Sequence, residues 1–139
     1  MADDPGAVVL AYLDALNHAD VDRACALVGP EFHNEHTSGL ASSLRGREAY
    51  RERLPGFLAD FVGLRYRHEA VIVAGERVAV PYTMSATVTV ETGPRDIRLR
   101  GCFVFQVVDG LIVHRLDYWD GTEYLRQTEA GNEGETLRP

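Results

Sequence analysis

The stretch "GCFVFQVVDGLIVHRLDYWDG", Gly101 to Gly121, reads as strand, turn, strand. "IRLRGCFVFQVV" is the first strand, "VDGL" the turn, and the chain then runs straight into the second. With a side-chain period of two, Val113, Arg115, Asp117 and Trp119 share one face of that last strand. Asp117 therefore stands among large apolar rings, where a carboxylate is costly unless something compensates for its lost water. Asp120 falls on the other face, at the strand's end, where it suits the N-cap of a short helix "TEYLRQ".

Working back from this hairpin, the chain keeps alternating. "VAVPYTMSATVTV" puts Val78, Val80, Tyr82, Met84, Ala86, Val88 and Val90 on one face. Pro81 lacks a ladder donor and marks an edge or a bulge. "LRYRHEAVIV" aligns Leu64, Tyr66, His68, Ala70 and Ile72. Short turns between these strands predict an antiparallel meander. Before them the period is helical. "DDPGAVVLAYLDALNHAD" carries Val8, Val9, Tyr12, Leu13 and Leu16 on one face. Asp20 caps a second helix, "VDRACALV", which Gly29-Pro30 is expected to end. A short extended piece, "EFHNEH", precedes a third helix from about Arg47 to Phe61, which Pro55 should kink or interrupt. Helices first and strands afterwards give an α+β order, in which a strongly curved sheet can wrap around the N-terminal helices and leave a pocket between them.

The 139 residues suit one domain over 1–128 with a flexible polar tail over 129–139. Lys and Arg number 14 against 21 Asp and Glu, a formal charge of −7, and no basic stripe is interleaved with aromatics, so no nucleic-acid partner is expected. No apolar run approaches the ~18 residues of a membrane span. The acidic start "MADDPG" precedes no signal-peptide core, and Cys25 and Cys102 read as buried thiols, so a cytoplasmic location is expected. "HNEH" offers His33, Glu35 and His36, but His33 and His36 point to opposite faces of an extended strand and would not share an ion; no metal is expected. No glycine-rich phosphate loop is present, so no cofactor is expected.

"AYLDALNHADVDRACALV", "GREAY" at Gly46 to Tyr50, the Gly101–Gly121 stretch and a closing "LRQ" together resemble the SnoaL-like polyketide cyclases. That family lies in the nuclear transport factor 2-like superfamily, with ketosteroid isomerases and limonene epoxide hydrolases. The resemblance spans about residues 5 to 128. It implies a cone-shaped α+β fold, an antiparallel or mixed curved sheet, a closed apolar pocket, often a homodimer, and no metal. It also implies diverse functions, some not catalytic.

Position 117 resembles the site of the acid or base carboxylate in SnoaL-like cyclases and epoxide hydrolases. Against an indole Asp117 would have a raised pKa, suited to proton abstraction. Paired with Arg115 on the same face it would instead stay ionised. Glu35 resembles in position the general-base aspartate of ketosteroid isomerases, with His33 on its strand face; a shift of one residue would aim Asn34 inward instead. Tyr12 aligns with the oxyanion-donating tyrosine of those isomerases and also lies on an apolar helix face. Tyr82 is a second oxyanion candidate. Phe103, Phe105, Trp119 and Met84 are expected as apolar walls, and His68 as a pocket group or a core histidine. The second isomerase acid is replaced here by Phe103, and the epoxide hydrolase arginine and second aspartate by Met84 and Ala86, so no known catalytic set is complete. The expected activity is cyclisation or isomerisation of an apolar polyketide-like small molecule, by proton removal next to a carbonyl. The alternatives are a ligand-binding or dimerisation module, and a water-using hydrolase or dehydratase pairing Asp117 with Glu35.

Overall fold

The computed structural model describes residues 4–129. Its helices are α1 (Pro5–Asn17), α2 (Val21–Ala26), α3 (Arg47–Asp60) and α4 (Gly121–Thr128). Its strands are β1 (Val28–His36), β2 (Leu44–Arg45), β3 (Val62–His68), β4 (Ile72–Ala74), β5 (Arg77–Val90), β6 (Gly93–Val108) and β7 (Leu111–Trp119). All seven form one open sheet in the order β2-β1-β7-β6-β5-β3, with β4 also on β5. The β1–β7 pair is parallel and the others antiparallel, so the sheet is mixed. This is the α+β cone expected from the sequence. The polar tail lies outside the described residues from 130 onward, as do residues 1–3.

Alternation decides what the cone encloses. Val78, Val80, Tyr82, Met84, Ala86 and Val88 of β5 are all buried, as are Phe103, Phe105 and Val107 of β6. The apolar face of α1 lies against them: Val9, Tyr12, Leu13 and Leu16 are buried in the same core. Asp109 and Gly110 take the two positive φ values of a tight hairpin turn, which sets the register of β6 on β7. Ladder slips between Val28 and His33, between Val62 and Arg65, and between Gln106 and Val107 bend the sheet.

Three local expectations change. Gly29-Pro30 does not end α2, which stops at Ala26; it lies inside β1, in the segment between Val28 and His33 where the ladder to β7 slips. "LRYRHEAVIV" is not one strand but β3 and β4, and Pro81 sits opposite the break. The Pro81 carbonyl accepts from Glu69 N, so its missing N–H faces the same interruption. Pro55 does not interrupt α3, which is continuous from Arg47 to Asp60. Both Pro55 and Arg51, whose carbonyl loses its partner, are on the exposed side, where water can replace the missing bond.

Candidate active site

A cavity of about 660 Å³ opens between the concave sheet, α3 and α4. Its inner end is polar and its walls are mostly aromatic. The parallel β1–β7 pair supplies the inner end, with His36 opposite Asp117 and Asn34 opposite Arg115 in register, all four turned inward. Asp117 lines the cavity and is only 4% exposed. Tyr82 donates its hydroxyl hydrogen to Asp117 Oδ1 at 2.6 Å. His36 Nδ1 lies 3.7 Å from Asp117 Oδ2 and accepts a hydrogen bond from Trp119 Nε1 at 3.3 Å. An Nδ1 that accepts leaves the ring proton on Nε2, so His36 here is the neutral imidazole.

Arg115 does not clamp Asp117. It makes no ion pair with that carboxylate within 4.0 Å among the described residues. Its Nε donates to Asn34 Oδ1 at 2.9 Å, one terminal nitrogen donates to the Tyr12 hydroxyl at 3.2 Å, and the guanidinium lies 4.9 Å over the Phe103 ring. The positive charge stays under the inner end of the cavity and polarises it without occupying the carboxylate.

Burial pushes the Asp117 carboxyl above the ordinary value of 3.8, and the Arg115 charge and the Tyr82 hydroxyl pull back only part of the way. Burial, joined by the charges of Arg115 and Arg53, holds His36 down at about 4. Burial works against the Arg115 charge, but Tyr12, Tyr50, Tyr66 and Asp117 more than offset it and keep the guanidinium protonated. Burial raises the Tyr82 hydroxyl, with the Asp117 charge adding to it, so Tyr82 remains a donor. The site therefore joins a basic carboxylate to a neutral imidazole beneath an apolar space.

Of the residues expected from the sequence, the cavity gathers Asp117, Tyr82, Trp119 and Met84. The others lie elsewhere. Glu35 and His33 are on the opposite face of the sheet, because β1 takes the alternative register with Phe32, Asn34 and His36 inward. Glu35 there meets His114 at 2.9 Å, so it cannot form an acid–base pair with Asp117. Tyr12 is fully buried behind the site, its ring edge-on to Phe105 and its hydroxyl between Tyr50 and Arg115; the whole face of α1 that carries it is taken up by the core. Phe103 and Phe105 are a layer deeper than the walls. Phe103 stacks beneath Tyr82 at 4.4 Å and supports it. His68 is exposed, since the alternate burial that holds at Leu64 and Tyr66 runs out at the end of β3.

Several site residues escaped the sequence reading. His36 is one: in the sequence it stands out only within "HNEH", and its place on the Asn34 face is the signal that finds it. Arg53 and Phe57 come from α3 and Phe61 from its C-cap, spacings of four that put them on one side. Phe57 stacks on Phe61 at 4.7 Å, and Phe61 meets Tyr124 of α4 at 6.5 Å. Tyr124 in turn meets Trp119 at 6.2 Å, closing an aromatic wall. Asp120 caps α4 as expected, accepting from Thr122 N and Glu123 N.

A family model described as "SnoaL-like domain" matches residues 9–115. No curated protein matches the chain in sequence. Among solved structures, an LEH-like epoxide hydrolase of M. tuberculosis is 25% identical over 91% of this chain and 90% of its own, with a TM-score of 0.77. A protein named as a SnoaL-like polyketide cyclase, from Shewanella denitrificans OS-217, is 13% identical over 91% of this chain and 97% of its own, with a TM-score of 0.82. TerC, crystallised with polyporic acid, is 20% identical over 91% and 99%, with a TM-score of 0.77. The family match spans most of the described cone, and the structural matches share its architecture: the chain belongs to the SnoaL-like domain family, with the nuclear transport factor 2-like fold.

Proposed function

We propose that this protein is an acid–base enzyme acting on an apolar, ring-forming small molecule of the polyketide type, with Asp117 as the base. The observation that carries the reading is a buried carboxylate in the cavity that Arg115 leaves unpaired. Substrate carbon next to a carbonyl loses its proton to Asp117 Oδ2, the oxygen not bonded to Tyr82. The raised basicity of Asp117 suits that transfer near neutral pH. His36 Nδ1, 3.7 Å away, steadies the protonated acid by a small rotation that exchanges the Trp119 N–H for the Asp117 hydroxyl hydrogen. The enolate that forms needs a positive environment, which Arg115 supplies from below and Arg53 from the side of α3. The stacked rings of Phe57 and Phe61 favour a flat substrate. In a cyclisation the enolate carbon attacks a second carbonyl of the same substrate, whose C=O π bond opens to an alkoxide that takes the proton back from Asp117. In an isomerisation that proton returns to another carbon of the enolate. Neither route changes the net oxidation state.

The test compares wild type with Asp117→Asn on a panel of polyketide-like ketones and of epoxides. The expected result is turnover of a ketone by wild type and a loss of about 10²–10⁴-fold in the variant. Equal rates in the two proteins would remove Asp117 as the base. Turnover of epoxides alone would replace the cyclase reading with water-using hydrolysis.

A further inference from the structure

The face of the sheet turned away from the cavity holds a second cluster of chemical side chains. His33 of β1 and His114 of β7 are register partners across the parallel pair. Neighbouring strands stand about 4.8 Å apart, and the two imidazoles stack at 4.8 Å between centroids, 3° from parallel. Glu35, two residues beyond His33 on the same face, puts Oε1 2.9 Å from His114 Nε2 and 3.9 Å from His33 Nδ1. The three possible ligand atoms all lie within 4.8 Å of one another. The side chains are 23%, 25% and 39% exposed for His33, His114 and Glu35, so an ion reaches them from solvent and the rings have room to turn. None of the three lines the cavity.

We propose that His33, Glu35 and His114 form a surface site for a first-row divalent transition ion, with Zn²⁺ the best-fitting occupant. Two imidazoles and one carboxylate match the ligand preference of that ion, and solvent supplies the fourth position. A tetrahedral centre with bonds of about 2.0–2.2 Å needs its ligand atoms about 3.3 Å apart. Small rotations of the partly exposed rings out of their stack aim both nitrogens at one point; Glu35 Oε1 already touches His114 Nε2 at 2.9 Å and stands 3.9 Å from His33 Nδ1. Mg²⁺ and Ca²⁺ demand oxygen-rich shells and do not fit. Arg45, the β2 partner of His33, adds a positive neighbour that keeps the affinity below that of closed structural sites. The bound ion is a clip across β1 and β7, directly behind the strand segment that carries His36 and Asp117. This inference does not depend on the proposed reaction.

The test uses the tag-free full chain, stripped with a chelator and titrated with ZnCl₂ by calorimetry and by thermal melting. One saturable site per chain is expected, with a Tm that climbs with Zn²⁺ and not with Mg²⁺. His33→Ala and His114→Ala should each weaken binding at least about tenfold, since even outer partners of a metal contribute that much. His18→Ala, an exposed histidine far along the chain, should bind as wild type does. Glu35→Gln keeps side-chain size and carries the same test should a histidine variant fail to give a native circular-dichroism spectrum. Absence of saturable Zn²⁺ binding, or equal affinity in Glu35→Gln and in the folded histidine variants, would overturn the site.

Discussion

Asp117 is held at the inner end of the cavity at the expense of the fold. Its pKa is raised, so the native state binds its proton more readily than the unfolded chain does. The stability this group contributes is therefore complete below the ordinary value of 3.8 and is lost as pH rises through the folded value. Asp117→Asn should then raise Tm at neutral pH while removing activity, a pairing that a merely structural aspartate would not give. Tyr82→Phe deletes the bond that pulls the carboxyl back down, so the acid limb of the rate profile should move to higher pH. Gly101→Ala should act in the same direction: a Cβ there would lie 2.6 Å from Tyr82 Cζ and 2.7 Å from the Tyr118 carbonyl, and Tyr82 would have to leave Asp117. His36 has the opposite linkage. Its pKa falls from 6.5 to about 4, so the unfolded chain takes up the extra proton, and stability is lost as pH falls from 6.5 towards 4. The loss is on the order of 2–3 kcal/mol, and thermal melts of His36→Gln should be flatter across that interval.

At the level of elements, the site depends on one register and one cap. β1 carries "FHNEH", and a shift of one residue exchanges Asn34 and His36 for His33 and Glu35. Phe32 decides between the two: it is fully buried, edge-on to Tyr50, and no polar residue of β1 could take that place without losing the contact. The cap is Asp120. α4 buries no residue of its own and is held by this cap and by the two bonds of Gln127 to the Arg98 backbone. Asp120→Ala should cost about 1 kcal/mol of helix stability. Because Tyr124 closes the aromatic wall, hydrogen exchange should quicken across α4 and KM should rise more than kcat falls.

Across the whole molecule, α1 is fastened into the cone by polar as well as apolar contacts. The Tyr12 hydroxyl meets both Tyr50 and Arg115, and Asn17 bonds both backbone groups of Tyr66 on β3. Buried polar groups of this kind are costly when half satisfied. Tyr12→Phe should lower stability by about 1–3 kcal/mol, by leaving Arg115 and Tyr50 short of a partner. Since Tyr12 lies behind the cavity, turnover at temperatures well below the melt should be little changed. A large fall in kcat at full stability would show instead that Tyr12 reaches the substrate.

The α+β order, the inward faces of β5 and β6, the hairpin turn and the caps at Asp20 and Asp120 could all be read from local spacing; on β7 the ladder slip beside Val113 buries Ile112 in place of the expected Val113. Each is fixed by a chain period or by a side chain bonding its own backbone a few residues on. The face shared by Arg115, Asp117 and Trp119 followed from the same period. Contacts between distant segments were not legible: Tyr82 on Asp117 spans 35 residues, Arg115 on Asn34 spans 81, and Trp119 on His36 spans 83. The sequence by itself determined which residues turn inward on β5 and β6 and from Arg115 to Trp119 of β7, because alternation is local. Only the tertiary structure decided that Arg115 goes to Asn34 and Tyr12 and leaves Asp117 free, that β1 turns His36 in and Glu35 out, and that α3 and α4 close the cavity. Those outcomes depend on pairing strands and helices far apart in the chain, and no local period encodes which partner wins.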